Sequence, residues 1–212
     1  MDVHFVDTDG QFTTAIAAHP LGEHVSISTG DVRSLLGEHT SVAYVSPSNS
    51  FCFMDGGIDA AYREMWPGVE DRAKAQMRQL GFLTKLGRSY LPLASAMAVD
   101  TRDEHGSWLI MAPTMWLPQD VSATENAYCA VLAALHMAIR LPVDKVVIPA
   151  MCCGYGKMSP EESAAQCMRA YHIFNHVSED RFLADANSDF CRLTIQVPQP
   201  RVYMNKEWQD FP

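Results

Sequence analysis

The chain holds no apolar run approaching the roughly 20 residues that span a bilayer. Its first residues, Met1-Asp2-Val3-His4, place no basic stretch ahead of an apolar one, so no secretory signal is expected there. Its six cysteines, Cys52, Cys129, Cys152, Cys153, Cys167 and Cys191, form no CxxC pair and no regular framework. They read as reduced thiols in a cytoplasmic compartment. The eight histidines offer no HExxH. His172 and His176 share a helix face, which is weak evidence for a metal. A zinc site built from Cys52, Cys152 and Cys153 departs from the usual ligand spacing. No metal and no cofactor is therefore expected. Basic residues are scarce, with 16 Lys and Arg against 25 Asp and Glu and a net charge of −9. That balance opposes nonspecific nucleic-acid binding, which rests on cationic side chains neutralising phosphates.

The 212 residues are enough for one domain with a good core. Apolar residues make up 48% and charged residues 19%, as in an ordinary globular protein without a membrane span. Short apolar runs at Val3–Val6, Val25–Ser28, Ser41–Val45, Tyr90–Val99, Trp108–Ala112, Val143–Ile148 and Leu193–Val197 read as strands. Helical spacing predicts helices over Thr13–Ala18, Ile58–Met65, Val69–Leu80 with Gly81 as C-cap, Val121–Arg140 and Pro160–Phe174. For the long fourth helix, Ser122 and Glu125 suggest a capping box, and Tyr128, Val131, Leu132, Leu135 and Ile139 a buried stripe. Ser159, Pro160 and Glu161-Glu162 form the start of the last helix. Strands alternating with helices argue for a three-layer α/β/α sandwich on a mixed, mostly parallel sheet. One domain over 1–212 is expected, with 198–212 as a C-terminal tail.

Two distant segments look like halves of one phosphate-binding site. The first runs from Val45 through Asn49 and Gly56-Gly57 to Asp59; the second runs from Val146 through Pro149 and Cys152-Cys153-Gly154-Tyr155-Gly156 to Met158. Each has an apolar run, then small residues, then a helix. Glycines admit an anion close to the backbone, and a helix start presents unpaired N–H groups to it. Such groups can hold a diphosphate without basic side chains. In an open α/β sheet the ligand lies at the carboxyl ends of the strands, where both loops begin.

These residues resemble the macro domain family, which binds ADP-ribose. Asn49, Gly56-Gly57 and Asp59 stand in the family's order, Pro149 to Met158 is similar to its second glycine loop, and Ser28-Thr29-Gly30-Asp31-Val32 resembles its early Gly-Asp-Ile signature. The likeness spans about 25–171. It implies that Asp31 and Val32 meet the adenine, that Asn49 holds the distal ribose, and that Gly56, Gly57 and Ile58 approach the phosphates. It implies the same for Cys152, Cys153, Gly154, Tyr155 and Gly156, with Tyr155 over the distal ribose. Asp59, with Asn49, would be catalytic, activating water against the anomeric carbon. Where the family has an earlier asparagine, Ser46 or Pro47 stands here. Each residue also has a plainer reading: Asp31 as a helix cap, Asn49 as a turn former, Asp59 as helix-start charge, the glycines as turns, and the cysteines as core. Lys157 either neutralises phosphate or is simply solvated. Trp116 would border the pocket.

The chemistry implied is metal-free hydrolysis of an ADP-ribose adduct: mono-ADP-ribosyl protein, O-acetyl-ADP-ribose or ADP-ribose 1″-phosphate. The enzyme would be an ADP-ribosyl hydrolase or an ADP-ribose phosphate phosphatase. A non-catalytic ADP-ribose reader and another α/β nucleotide-phosphate enzyme stand as alternatives. The expected partner is ADP-ribose or an ADP-ribosylated substrate, with no membrane and no nucleic acid apart from an ADP-ribosylated end. A catalytic Cys152 or Cys153 would need a lowered thiol pKa and a nearby base.

Overall fold

A computed structural model describes residues 1–37 and 41–178. The expected strand at 193–197, the tail at 198–212, Cys191 and the side chain of His176 lie outside the described residues. Among the described residues there are six strands and five α-helices, interleaved along the chain. They are β1 (Asp2–Asp7), α1 (Gln11–Ala17), β2 (Val25–Thr29), β3 (Val42–Ser46), α2 (Gly57–Met65), α3 (Val69–Leu80), β4 (Met97–Asp100), β5 (Trp108–Met111), α4 (Asn126–Ala138), β6 (Lys145–Pro149) and α5 (Pro160–Ser178). One compact unit spans Met1–Phe174.

The sheet order is β2-β1-β6-β3-β5-β4. All neighbours are parallel except β4, which runs antiparallel to β5. The last strand among the described residues, β6, sits between β1 and β3. The strands are apolar on both faces because helices cover both. Alternation along β3 sends Ala43 and Val45 to one side and Val42 and Tyr44 to the other. The first side packs under α1, α4 and α5, the second under α2 and α3. Tyr44, Tyr62 and Trp66 stack together beneath the second layer, with ring centroids 5.2–6.2 Å apart. The result is the expected three-layer sandwich.

Several local expectations need correction. The segment at 90–96 is loop, and β4 is only Met97–Asp100. Pro92 withholds a ladder donor there and Ala94 takes a left-handed conformation at φ 59°. The long helix begins at Asn126, not Val121, and Glu125 makes no side-chain cap bond. Ser122 instead bonds Asp120 through both its N–H and its hydroxyl, forming a turn. The buried face of α4 is Ala127, Ala130, Val131, Ala134, Leu135 and Ala138, while Ile139 is exposed. Val131 and Leu135 of the expected stripe lie in it and Tyr128 and Leu132 flank it, while alanine fills the rest and lets the helix approach the sheet closely. Elsewhere the signals hold. Gly81 caps α3 in the left-handed region, and the Ser159 hydroxyl accepts from the Glu162 N–H at 3.1 Å.

Candidate functional site

A cavity of about 700 Å³ opens at the carboxyl ends of β1, β3 and β6, within the usual range for a small-molecule site. Both suspected loops reach it. Gly56, Gly57, Ile58 and Asp59 line it from the first; Cys152, Cys153, Gly154, Tyr155 and Gly156 line it from the second. Asn49, Asp31 and Val32 line it as well. The sequence-predicted residues therefore converge on one space, although 125 positions separate Asp31 from Gly156.

The start of α2 is built for close approach. Gly57 adopts φ 58°, and a Cβ there would meet no heavy atom within 4 Å. Its requirement is thus conformational, not steric. The first-turn N–H groups of α2 have no intrahelical acceptor, and Gly57 and Ile58 border the cavity. A Cβ on Gly56 would come within 3.2 Å of the Tyr155 hydroxyl oxygen. Tyr155, two-thirds exposed, thus lies against the first loop and joins the two halves of the rim. Gly156 has a different constraint: a Cβ there would fall 2.4 Å from the Cys152 carbonyl oxygen and 2.8 Å from Val121.

Asn49 is spent largely on its own loop. Its Oδ1 accepts from the Phe51 and Phe53 N–H groups and its Nδ2 donates to the Phe53 carbonyl at 3.0 Å. The turn-forming reading is realised, and one amide hydrogen is left uncommitted. Asp31 caps the 3-10 turn at Val32–Leu35, accepting from the Arg33 N–H at 2.9 Å. The Arg33 guanidinium also binds its carboxylate and holds it below the ordinary carboxylate range. Arg33 is the only basic residue on the cavity wall among the described residues, and it is already shared between Asp31 and Glu64. Lys157 pairs with Asp120 instead of reaching the cavity.

Asp59 is the most unusual group present. It sits in the first turn of α2, only 8% exposed, and accepts a 2.5 Å hydrogen bond from the Ser46 hydroxyl. Burial pushes its pKa up to about 7, against which the Ser46 hydrogen bond acts. The carboxyl group therefore changes charge near neutral pH. Nothing in a lone serine at the end of β3 signals that Ser46 is its partner.

The thiols behave differently. Burial raises the Cys152 thiol to about 12 and also raises that of Cys153, whose Sγ lies 3.4 Å from the Met151 carbonyl oxygen. Thiols so disposed are poor nucleophiles at neutral pH, which argues against a catalytic cysteine. Cys152 takes φ 64°, so its contribution is the backbone turn.

The loop after β1 is the part of the wall that sequence reasoning missed. Asp7, Thr8, Asp9 and Phe12 all line the cavity. The Asp7 carboxylate accepts from the Gly10 and Phe12 N–H groups and the Thr13 hydroxyl, capping α1. The usable signal was strand order: β1 lies beside β6, so its carboxyl end borders the second loop. Trp116, in contrast, does not line the cavity. It packs against Phe51 and Tyr90 at ring distances of 5.1 and 5.0 Å, because the cavity wall is already filled there by Met115 and Pro118.

No protein-family model matches the chain. An uncharacterised protein of Aeropyrum pernix is 29% identical over 155 residues, covering 72% of this chain and 74% of that protein. Among solved structures, the macrodomain of Mycobacterium tuberculosis DarG is similar with a TM-score of 0.54 at 20% identity, over 68% of this chain and 88% of that one. The Oceanobacillus iheyensis macrodomain with ADP gives 0.52 at 15% identity, over 74% and 86%. Thermosipho africanus DarTG in complex with ADP-ribose gives 0.51 at 11% identity, over 81% and 50%.

Proposed function

We propose, from the macrodomain fold of this chain, that the cavity binds ADP-ribose or a derivative and hydrolyses an ADP-ribose adduct. Two solved neighbours carry ADP and ADP-ribose, which supports the ligand class. The carrying observation is the cavity itself: two glycine loops and the start of α2 border one space, with a near-neutral carboxyl group on its wall. The diphosphate would rest on backbone N–H groups of Gly57, Ile58 and the 152–156 loop. Asp31 would meet the adenine amine, sharing its carboxylate with Arg33. The distal ribose would lie between Asn49, Tyr155 and Asp59.

Catalysis in this reading is positional. Asp59, ionised above about pH 7, takes a proton from a water as that water attacks the anomeric carbon. The bond to the leaving group breaks and free ADP-ribose or its equivalent is released. Asp59→Asn keeps the size of the side chain and a hydrogen-bond acceptor for Ser46. It should reduce turnover at least 100-fold while leaving ADP-ribose affinity within a few-fold.

The engagement of Asn49 with its own loop favours a second reading, a reader without turnover. Calorimetric titration with ADP-ribose, AMP and ATP tests the shared part, with micromolar binding of ADP-ribose and much weaker AMP binding expected. Release of ADP-ribose from a modified protein then separates enzyme from reader. Absence of ADP-ribose binding would sink both.

A further inference from the structure

Charge is not evenly spread over this acidic chain. Residues 72–99 contain Arg72, Lys74, Arg78, Lys85 and Arg88 and not one Asp or Glu, in a protein of net charge −9. The same stretch carries exposed apolar side chains: Leu80 at 45%, Phe82 at 43%, Leu83 at 58%, Leu86 at 86% and Leu93 at 40%. Its tip is a small hairpin. Leu83 bridges Ser89, the Thr84 N–H donates to the Arg88 carbonyl, and Gly87 turns the chain at φ 72°.

A row of rings connects this hairpin to the cavity. Phe82 lies 6.1 Å from Tyr90, Tyr90 5.0 Å from Trp116, Trp116 5.1 Å from Phe51, and Phe51 6.0 Å from Phe53. Phe53 lines the cavity, is 42% exposed, and has the Lys74 ammonium 5.0 Å from its ring centre. Arg72 is spent on the Pro67, Asp100 and Thr101 carbonyls, and Lys74 is paired with Glu70. Arg78 and Arg88 stand exposed on this surface and supply its positive charge.

We propose that this surface docks an acidic, apolar segment of the polypeptide to which the ADP-ribose is attached. The inference rests on the cavity's holding ADP-ribose, and it assigns the substrate class: a modified protein recognised on the acceptor side. Contiguous exposed apolar area rimmed by charge of one sign marks a partner site. Aromatic and Arg side chains are the usual anchors of such interfaces. Four of these five exposed apolar side chains are leucines, which have no ring face on which a base could stack. A long polyanion would also be repelled by the rest of an acidic protein, whereas a short acidic segment meets only the local basic surface.

The test uses the full chain and fluorescence anisotropy. The probes are a 15-residue peptide of mixed Leu, Phe, Glu and Asp, the same peptide with Lys for each acid, and a 15-mer of deoxythymidine. The acidic peptide is prepared with and without one ADP-ribosyl group, and free ADP-ribose is titrated separately. We expect the modified acidic peptide to bind at least 10-fold tighter than free ADP-ribose. We expect the unmodified one to bind weakly and to lose affinity in salt. L86S combined with R88E, both exposed and outside the cavity, should remove that gain and leave ADP-ribose binding unchanged. Equal binding of the Lys peptide, no gain over free ADP-ribose, or indifference to L86S/R88E overturns the proposal. Tight binding of the deoxythymidine strand alone overturns it in favour of a nucleic-acid surface. Failure of free ADP-ribose to bind removes the cavity reading instead, and the unmodified acidic peptide still tests the surface by itself.

Discussion

At the scale of single residues, Asp59 and Gly156 make opposite demands on the fold. A carboxyl group whose folded pKa is raised from 3.8 to about 7 favours its neutral form. Its stabilising contribution is full below pH 3.8 and is lost as pH rises through 7. Asp59→Asn should therefore gain stability relative to the native chain between pH 5 and pH 8. Only the two pH units from 5 to 7 contribute in that window, so the gain is bounded at about 3 kcal/mol, since one pKa unit corresponds to about 1.4 kcal/mol; paired melting curves at the two pH values check it. If Asp59 is the base of a hydrolase, as proposed, turnover runs the other way and should rise with pH through about 7. Ser46→Ala removes the hydrogen bond that lowers this pKa, so the midpoint of the pH–rate profile should move upward. Gly156→Ala forces a Cβ against a backbone carbonyl that has no room to yield. It should cost about 1–3 kcal/mol in a denaturant titration and weaken ADP-ribose binding.

At the scale of elements, the legibility of the sequence followed how each element is buried. β3 and β6, covered on both faces, are continuous apolar runs and were readable to within a residue or two. The start of α4 was not legible because Ser122 and Glu125 imitate a capping box, and its face was legible only at Val131 and Leu135 because the rest of the inner surface is alanine. Leu135 is fully buried in that face, so Leu135→Ala should cost about 2–5 kcal/mol by chemical denaturation. The two glycine loops were legible because their backbone needs leave a mark in residue type. The β1–α1 loop was not, since Asp7-Thr8-Asp9-Gly10 reads as any polar turn until β1 is known to neighbour β6. The Ser46–Asp59 bond joins a strand end to a helix start and has no signature in spacing.

At the scale of the whole molecule, the cavity walls carry Asp7, Asp9, Asp31, Asp55 and Asp59 against one committed arginine. ADP-ribose, bound there as proposed, would be held by backbone dipoles against an unfavourable long-range field. ADP-ribose affinity should consequently stay flat or rise slightly from 50 to 300 mM salt, where a site of lysines and arginines would lose affinity; calorimetry across that range decides it.

The placement of β6 between β1 and β3 also orders events in time. During synthesis the β1–β2 pair and the β3–β5–β4 group emerge first, and no strand yet joins them. Only when residues 145–149 leave the ribosome can the sheet close, and both glycine loops come to face one another in the same moment. A chain cut after residue 140 should show no cooperative melting, whereas one that extends past β6 completes the described sheet and its cavity in a single late step.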